Sequence, residues 1–193
     1  MSELISEEYR SQLEQLHEAR ADFGRQSPDW AGYLRALCRS LDTYDVLDYG
    51  CGKGELALHL PFRVKLYDPG VPKFAASPVA ADILVSTDVL EHIEPDKLTP
   101  VLEHMAAMTK RLAFIHIATR SAKKTLPDGR NAHLIVQPPR WWKAALQDVG
   151  FIVVGEKAYV TDHEEMAVSY LMVHKNAATP IPQGTIDLAM HND

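Results

Sequence analysis

The chain has 193 residues, of which 46% are hydrophobic and 24% charged, so it suits one globular domain with a sizeable core and is short for two. Its formal net charge is -6 at pH 7, and an acidic chain lacks the broad basic surface of most nucleic-acid-binding proteins, so a nucleic-acid partner is not expected. It has only two cysteines, no apolar run of transmembrane length and an acidic start; these features argue against a disulfide framework, a membrane span and a signal peptide, and predict a cytoplasmic protein.

A helical cap is predicted over residues 1–40, at the start of one domain that extends over residues 1–175. The first helix has an apolar face formed by Tyr9, Leu13 and Leu16. Gly24 is expected to end this helix, and residues 27–29 supply an N-cap, a first-turn proline and an acid for the next. The apolar face of the second helix is formed by Trp30, Leu34 and Leu37. Residues 176–193 are predicted to be a poorly ordered tail.

Strands alternate with helices from Asp45 onward. Strands are predicted at residues 45–48, 63–67, 82–86, 112–118, 151–155 and 166–174. Helices are predicted at residues 55–60, 98–108 and 138–149. Asp96 is expected to cap the second of these helices, and Gly150 to end the third.

This alternation predicts an α/β fold, with a doubly wound, mostly parallel, Rossmann-like sheet of about six strands. The link at residues 156–165 is too short for a helical crossover, so the last strand is predicted to be antiparallel and to make the only antiparallel pairing. Ligands bind such sheets at the carboxyl ends of the strands. A glycine-rich loop, Asp68, Asp88 and the segment after Thr119 all follow strand ends, and this convergence predicts a binding site there.

The glycine-rich loop at residues 48–54, Asp-Tyr-Gly-Cys-Gly-Lys-Gly, is the strongest single motif. It leads from a strand into a helix, and its glycines permit a sharp turn and the close approach of a ligand. A dinucleotide-binding fingerprint needs a glycine where Glu55 stands. The carboxylate of Asp48 would repel a diphosphate and favour a cationic amino-acid group.

Asp68 ends the next predicted strand, 18 residues after Gly50, which is close to the spacing of a ribose-binding acid. A carboxylate at this position can accept hydrogen bonds from both hydroxyls of a ribose. An isolated acid at a strand end is usually a turn former. Its position after this particular loop favours the ribose role.

These two motifs, together with Asp-Ile-Leu-Val-Ser-Thr-Asp-Val-Leu-Glu-His-Ile at residues 82–93, resemble the class I S-adenosylmethionine-dependent methyltransferases. The last run is similar to the subgroup that contains the ubiquinone O-methyltransferases. The resemblance implies S-adenosylmethionine as cofactor, with its methionine part near Asp48 and Gly50 and its ribose on Asp68. The cofactor-binding residues that it implies are Asp48, Gly50, Cys51, Gly52, Gly54, Asp68, Pro69, Asp88 and Val89.

One interval departs from this family. The family places a helix, a strand and a helix between the ribose-binding acid and the strand at Asp82, whereas only 13 residues, 69–81, fill that interval here. One parallel crossover alone needs about a dozen residues. The family's third strand is therefore predicted to be missing or vestigial, and its adenine-binding acid has no counterpart.

The long polar segment at residues 119–136 is predicted to form part of the acceptor site and to act as a lid. His133 in this segment, and His92 after the strand at 82–86, are candidate catalytic bases for an acceptor that must lose a proton. The alternatives are a residue that begins a helical turn for His92 and a solvated loop for His133. The other histidines lack ligand spacing, and no metal site is predicted.

Arg130 is a candidate clamp for a carboxylate or phosphate of the acceptor. Asn131 and Trp141 are further candidate acceptor contacts, although a tryptophan in this position more often packs against its own helix. Additional positive charge in the segment comes from Arg120, Lys123 and Lys124. These charges favour a small anionic acceptor.

Three functions remain open from the sequence. The first is methyl transfer to a small molecule, which needs little more than alignment of the nucleophile with the activated methyl group and exclusion of water. The second is methyl transfer to a protein or another macromolecule. The third is a non-catalytic S-adenosylmethionine-binding partner subunit, which the shortened sheet makes worth testing.

Overall fold

The computed structural model describes residues 3–19, 30–160, 165–177, 181–185 and 187. The helices are α1 (Glu7–Ala19), α2 (Trp30–Leu41), α3 (Glu55–Leu58), α4 (Leu98–Met108) and α5 (Pro139–Asp148). The strands are β1 (Val46–Tyr49), β2 (Lys65–Tyr67), β3 (Ala81–Thr87), β4 (Thr109–Ala118), β5 (Phe151–Val160) and β6 (Glu165–His174). Short 3₁₀ turns lie at Pro72–Phe74 and Leu90–His92.

The described strands form a six-stranded sheet in the order β2-β1-β3-β4-β6-β5. Strands β1 to β4 pair in parallel, whereas β6 runs antiparallel to both β4 and β5. The predicted doubly wound, mostly parallel sheet with an antiparallel last strand is confirmed. The expectation of only one antiparallel pairing is wrong, because β6 lies between β4 and β5 and so makes two.

Helices cover both faces of this sheet. Successive residues of a strand point to opposite faces. One hydrophobic cluster therefore joins Leu47 and Leu84 to α4 and α5, and another joins Val46 and Ile83 to α2 and α3. All four side chains are at most 1% exposed. Burial on both faces explains why these strands are apolar throughout their length instead of alternating with polar residues.

The link between β2 and β3 contains no helix–strand–helix unit, as predicted from its length. Its regular structure consists of the 3₁₀ turn at Pro72–Phe74, whose Phe74 carbonyl accepts a hydrogen bond from Asp68 N at 3.1 Å. The third strand of the family is therefore missing, and β2 lies at the edge of the sheet.

Element boundaries differ from the predicted ones in several places. Asp96 does not cap α4: the residue before the helix is Lys97, which makes no side-chain capping bond, and Asp96 is exposed with its carboxylate 3.7 Å from Lys97 Nζ. Gly150 ends the α5 region with a φ of 95°, as predicted. The predicted helix end at Gly24 and the cap at residues 27–29 lie outside the described residues, as does part of the predicted tail.

The N-terminal segment and α1 close over the carboxyl ends of the strands. Ser6 donates from N and Oγ to the carboxylate of Glu94, at 2.9 and 2.7 Å. The hydroxyl of Tyr9 donates to His92 O at 2.7 Å, and Tyr9 packs in a small cluster with Leu126 and Ala132. The predicted cap thus covers the ligand end of the sheet. Among the described helices, none has the length and apolar character needed to cross a membrane.

Candidate active site

A cavity of about 350 Å³ lies at the carboxyl ends of β1, β2 and β3. Five segments contribute to its wall, together with Val101 of α4: residues 4–13, the glycine-rich loop, Asp68 and Pro69 after β2, the link after β3 at residues 88–94, and the polar segment between Arg120 and His133. This is the edge where ligands bind parallel sheets. The position predicted from the strand ends is therefore where the cavity is found.

The glycine-rich loop is held tightly against the end of β2. Gly50 N and Cys51 N both donate to Tyr67 O, at 2.8 and 3.1 Å. Gly50 has a φ of 80°, and a Cβ built on it would lie 2.4 Å from Val89 Cγ2. Only glycine fits this combination of left-handed backbone and close approach. The loop thus presents bare backbone to the cavity at Gly50 and Gly52.

Asp68 is fixed in orientation by two backbone amides. Its Oδ2 accepts from Gly52 N and its Oδ1 from Gly70 N, both at 2.9 Å. A carboxylate offers about four lone-pair positions, two on each oxygen. The side chain lines the cavity beside Pro69. It is therefore an oriented acceptor for hydroxyl groups.

Asp48 is fully buried at the end of β1, and neither carboxylate oxygen has a hydrogen-bond partner among the described residues. Burial, and secondarily the charge of Asp68, raises the pKa of Asp48 to about 8. A buried carboxylate of this kind favours a nearby cation, because a positive charge offsets the cost of desolvating the anion.

His92 and His133 lie close together in the wall of the cavity. Their ring centroids are 4.8 Å apart with the planes at 87°. Nδ1 of His92 is 2.7 Å from Ala132 O, and Nδ1 of His133 is 2.6 Å from Arg120 O. Because a carbonyl oxygen only accepts, each Nδ1 carries the hydrogen and each Nε2 keeps its lone pair. Burial lowers the pKa of both rings, that of His92 to about 4, so both are neutral near pH 7.

Glu91, which the sequence analysis did not single out, lies beside this pair. It is fully buried in the 3₁₀ turn, and its Oε1 accepts from Ala118 N at 2.9 Å. Its Oε2 has no hydrogen-bond partner among the described residues. Burial, and secondarily the charge of Asp88, raises the pKa of Glu91 to about 8. The sequence feature that could have drawn attention to Glu91 is its position next to the candidate base His92, shortly after a buried strand.

Comparison with known proteins gives the family. Residues 6–156 match a family described as a methyltransferase domain. The chain belongs to this family. Together with the fold, this makes it a class I S-adenosylmethionine-dependent methyltransferase. No curated relative matches the sequence.

Two solved methyltransferase structures show the same fold at low identity. The 1,6-didemethyltoxoflavin-N1-methyltransferase of Burkholderia thailandensis, with 1,6-didemethyltoxoflavin and S-adenosylhomocysteine bound, is 15% identical with a TM-score of 0.63; the match covers 91% of this chain and 93% of that one. The magnesium protoporphyrin IX methyltransferase of Synechocystis PCC 6803, with S-adenosylhomocysteine bound, is 17% identical with a TM-score of 0.54, over 76% and 83% of the two chains.

Charged side chains of both signs surround the cavity of the methyltransferase. The cationic ones come from the polar segment and are Arg120, Lys123 and Lys124. The anionic ones are Asp68, Asp88 and Glu94. Glu94 accepts hydrogen bonds from Ser6, and Asp68 accepts one from the glycine-rich loop.

The structure does not bring the predicted acceptor residues to the cavity. Arg130 is exposed and paired with Asp128, with Nε 2.8 Å from Oδ2. Asn131 is used within its own segment: its Oδ1 accepts from Ala122 N and its Nδ2 donates to Ala122 O, both at 2.9 Å. Trp141 is 37% exposed on α5. None of the three is among the described residues of the cavity wall.

The predicted cofactor residues divide into two groups. Those in the wall of the cavity are Gly50, Gly52, Asp68, Pro69, Asp88 and Val89. Asp48, Cys51 and Gly54 lie behind them: Cys51 is 1% exposed, and a Cβ on Gly54 would lie 3.1 Å from Leu66 Cδ1. Burial raises the pKa of the Cys51 thiol, so Cys51 is a packing residue of the loop and not a nucleophile.

Proposed function

We propose that this methyltransferase uses S-adenosylmethionine to methylate a small molecule held in the cavity between the glycine-rich loop and the His92–His133 pair. The observation that carries the proposal is that one cavity is lined both by an oriented hydroxyl acceptor, Asp68, and by two neutral imidazoles. The narrower resemblance to the ubiquinone O-methyltransferases and the cytoplasmic location stay predictions.

The residues present fit the cofactor. Asp68 lines the cavity with its carboxylate oriented by backbone amides, which suits a ribose hydroxyl, and Gly50 leaves no side chain between the loop backbone and a ligand. Asp48 is a buried carboxyl group behind the loop, and the cationic amino-acid part of the cofactor would favour its ionised form. Pro69 and Val89 add apolar wall on the two sides of this region.

The chain's own contribution to the reaction is positioning and exclusion of water. The cofactor supplies an activated methyl group on a sulfonium, so the acceptor needs alignment more than activation. The N-terminal segment and α1 cover the cavity through the bonds of Ser6 to Glu94 and of Tyr9 to His92. This cover keeps water from the transfer path.

The imidazoles provide the place for an acceptor's proton. The Nδ1 bonds to Ala132 O and Arg120 O fix the rings so that Nε2 is the basic atom of each. His133 is only half-buried and lines the cavity, which makes it the better placed of the two to meet a hydroxyl or ammonium group. The backbone oxygen of His92 accepts the hydrogen bond from the Tyr9 hydroxyl, and the His92 ring packs edge-to-face against the His133 ring. His92 therefore helps to hold His133 in position.

The cavity favours a small, negatively charged acceptor. Its volume of about 350 Å³ leaves little room for a macromolecule unless a single side chain enters. Lys123, Lys124 and Arg120 stand at the side from which the acceptor would meet the histidines. The two solved structures with this fold likewise belong to enzymes named for small-molecule acceptors.

Incubation with methyl-labelled S-adenosylmethionine and fractionated extract tests this function. We expect label in a small, anion-exchange-retained product. Label in protein would identify a macromolecular acceptor and contradict the proposal. Binding of S-adenosylhomocysteine without label transfer to any fraction would instead identify the non-catalytic partner subunit.

A further inference from the structure

Glu91, His92 and His133 form a cluster of metal-ligating groups, and the two histidines line the cavity. Each offers one ligand atom, and the three atoms lie within 4.8 Å of one another. The cluster joins two separate parts of the chain, the 3₁₀ turn after β3 and the polar segment after β4. No spacing rule along the sequence connects His92 to His133, which is why the sequence indicated no metal site.

The hydrogen bonds that hold these three side chains are of the kind that metal ligands make. Metal-bound histidines typically donate their other ring N–H to a carbonyl or carboxylate, which fixes the tautomer and the ring orientation. Both histidines do so here, through Nδ1 to Ala132 O and to Arg120 O. Glu91 is likewise held through one oxygen, by Ala118 N, which leaves Oε2 as the ligand atom.

One polar atom of this cluster is buried without a partner. Oε2 of Glu91 has no hydrogen-bond partner among the described residues, although Glu91 is fully buried. Buried polar groups are normally hydrogen-bonded, so an unpartnered carboxyl oxygen at this depth is costly. A cation bound at Oε2 would satisfy this oxygen.

We propose that Glu91, His92 and His133 bind one divalent transition-metal cation, with at least one coordination position open to the cavity. Two imidazoles and one carboxylate suit Zn²⁺, Fe²⁺, Mn²⁺ or Co²⁺ better than Mg²⁺ or Ca²⁺, which prefer oxygen ligands alone. Ligands at about 2.1 Å from one metal lie about 3.0–3.5 Å apart, so the three atoms move together by up to roughly 1.5 Å on binding.

An open position on this ion lies where the proposed function requires the acceptor. A hydroxyl oxygen bound there would have its pKa lowered, so the acceptor would give up its proton to solvent on binding and present an alkoxide oxygen to the methyl group. With the metal bound, the ring nitrogen of His133 is a ligand, so the ion takes over the role that the metal-free ring has as a base. This role rests on the proposed function. Binding of the metal itself does not, because it follows from the three side chains and their hydrogen bonds.

Titration of chelator-treated protein with Co²⁺ tests the site directly. The visible absorption of bound Co²⁺ reports the type and number of its ligands. Competition with Zn²⁺ gives the affinity of the same site for Zn²⁺. We expect one ion per chain, and binding weakened more than about 100-fold in Glu91→Gln and in His133→Ala, because loss of a ligand costs more than loss of its supporting contact. His59→Ala, at an exposed histidine outside the cavity wall, is the matched control and should bind as the unsubstituted chain does.

S-adenosylhomocysteine binding to the same samples separates the possible failures. Unchanged binding of S-adenosylhomocysteine in both variants shows that they are folded, so their loss of Co²⁺ supports the site. No Co²⁺ binding by the unsubstituted chain, or equal affinity in His133→Ala, overturns the metal site and leaves the proposed function standing. Failure of the unsubstituted chain to bind S-adenosylhomocysteine contradicts the proposed function, whereas specific Co²⁺ binding in that case still supports the metal site.

Discussion

Asp68 Oδ2 accepts a hydrogen bond from Gly52 N at 2.9 Å, which ties the acid at the end of β2 to the glycine-rich loop at the end of β1. The two motifs that the sequence indicates separately are therefore one structural unit. A change in either is transmitted to the other through this bond, so their effects on ligand binding should not be additive.

Asp68→Ala should weaken binding of both S-adenosylmethionine and S-adenosylhomocysteine by about 10- to 150-fold, since it removes about 1.5–3 kcal/mol of charge-assisted hydrogen bonding to the ribose. Isothermal titration calorimetry measures both affinities. Asp96→Ala, at an exposed acid outside the cavity wall, is the matched control. Equal affinity in Asp68→Ala would remove the ribose assignment.

Asp48→Asn should stabilise the unliganded protein at alkaline pH. With its pKa raised to about 8 by burial and then by Asp68, the folded chain keeps the proton of Asp48 where the unfolded chain, with a pKa of about 4, has lost it. The stability contributed by this proton is full below about pH 4 and is lost as the pH rises to about 8. The advantage of Asp48→Asn in urea unfolding should therefore be small at about pH 4.5 and reach about 5 kcal/mol at about pH 8. An advantage that does not change with pH would contradict the raised pKa.

Gly50→Ala should destabilise the fold by about 2–4 kcal/mol, from left-handed backbone strain and from overlap with Val89. Adding Val89→Ala removes the overlap but not the strain, so the double variant should recover about half of the loss. Gly32→Ala in α2, where the nearest atom to a new Cβ is 3.9 Å away, is the control and should be neutral or stabilising. Equal stabilities of Gly50→Ala and Gly32→Ala would show that the loop tolerates a side chain.

His133→Ala should lower kcat by about 10²- to 10⁴-fold, while the affinity for S-adenosylhomocysteine stays within about twofold, because His133 belongs to the polar segment and not to the glycine-rich loop or the end of β2. Arg130→Ala should leave both kcat and KM unchanged, since Arg130 is paired with Asp128 outside the cavity wall. Steady-state kinetics with the acceptor identified by label transfer measures both. A raised KM in Arg130→Ala would restore the acceptor role that the sequence suggested.

The cofactor half of the site could be predicted from the sequence because it depends on local chemistry. Gly50 and Asp68 each follow a strand directly, and parallel strands bring their carboxyl ends together. The missing third strand was also readable, since a crossover has a minimum length. The ends of the helices were harder to predict. An acid such as Asp96 can cap a helix that begins at any of several neighbouring residues, and only the backbone geometry decides where the helix begins.

The acceptor half could not be predicted as well, because it depends on how the polar segment folds back on itself. Arg130 and Asn131 stand close to His133 along the chain, yet their side chains bond to Asp128 and Ala122 within the segment. Glu91 was overlooked for a related reason. A buried glutamate is rare. Its position next to His92 was visible in the sequence, but its closeness to His133, 42 residues later, depends on the fold.

The missing third strand has a consequence for how the molecule behaves in a crowded solution. An open sheet edge can add a strand from another copy and so begin aggregation. Here that edge is β2, which is only three residues long. Its first residue, Lys65, is tied to Asp45 and Ala80 O, and the 3₁₀ turn bonds back to Asp68 just beyond its last. A short, charged edge closed at both ends gives incoming strands little to pair with, so the sheet loses a strand without becoming a template for polymerisation.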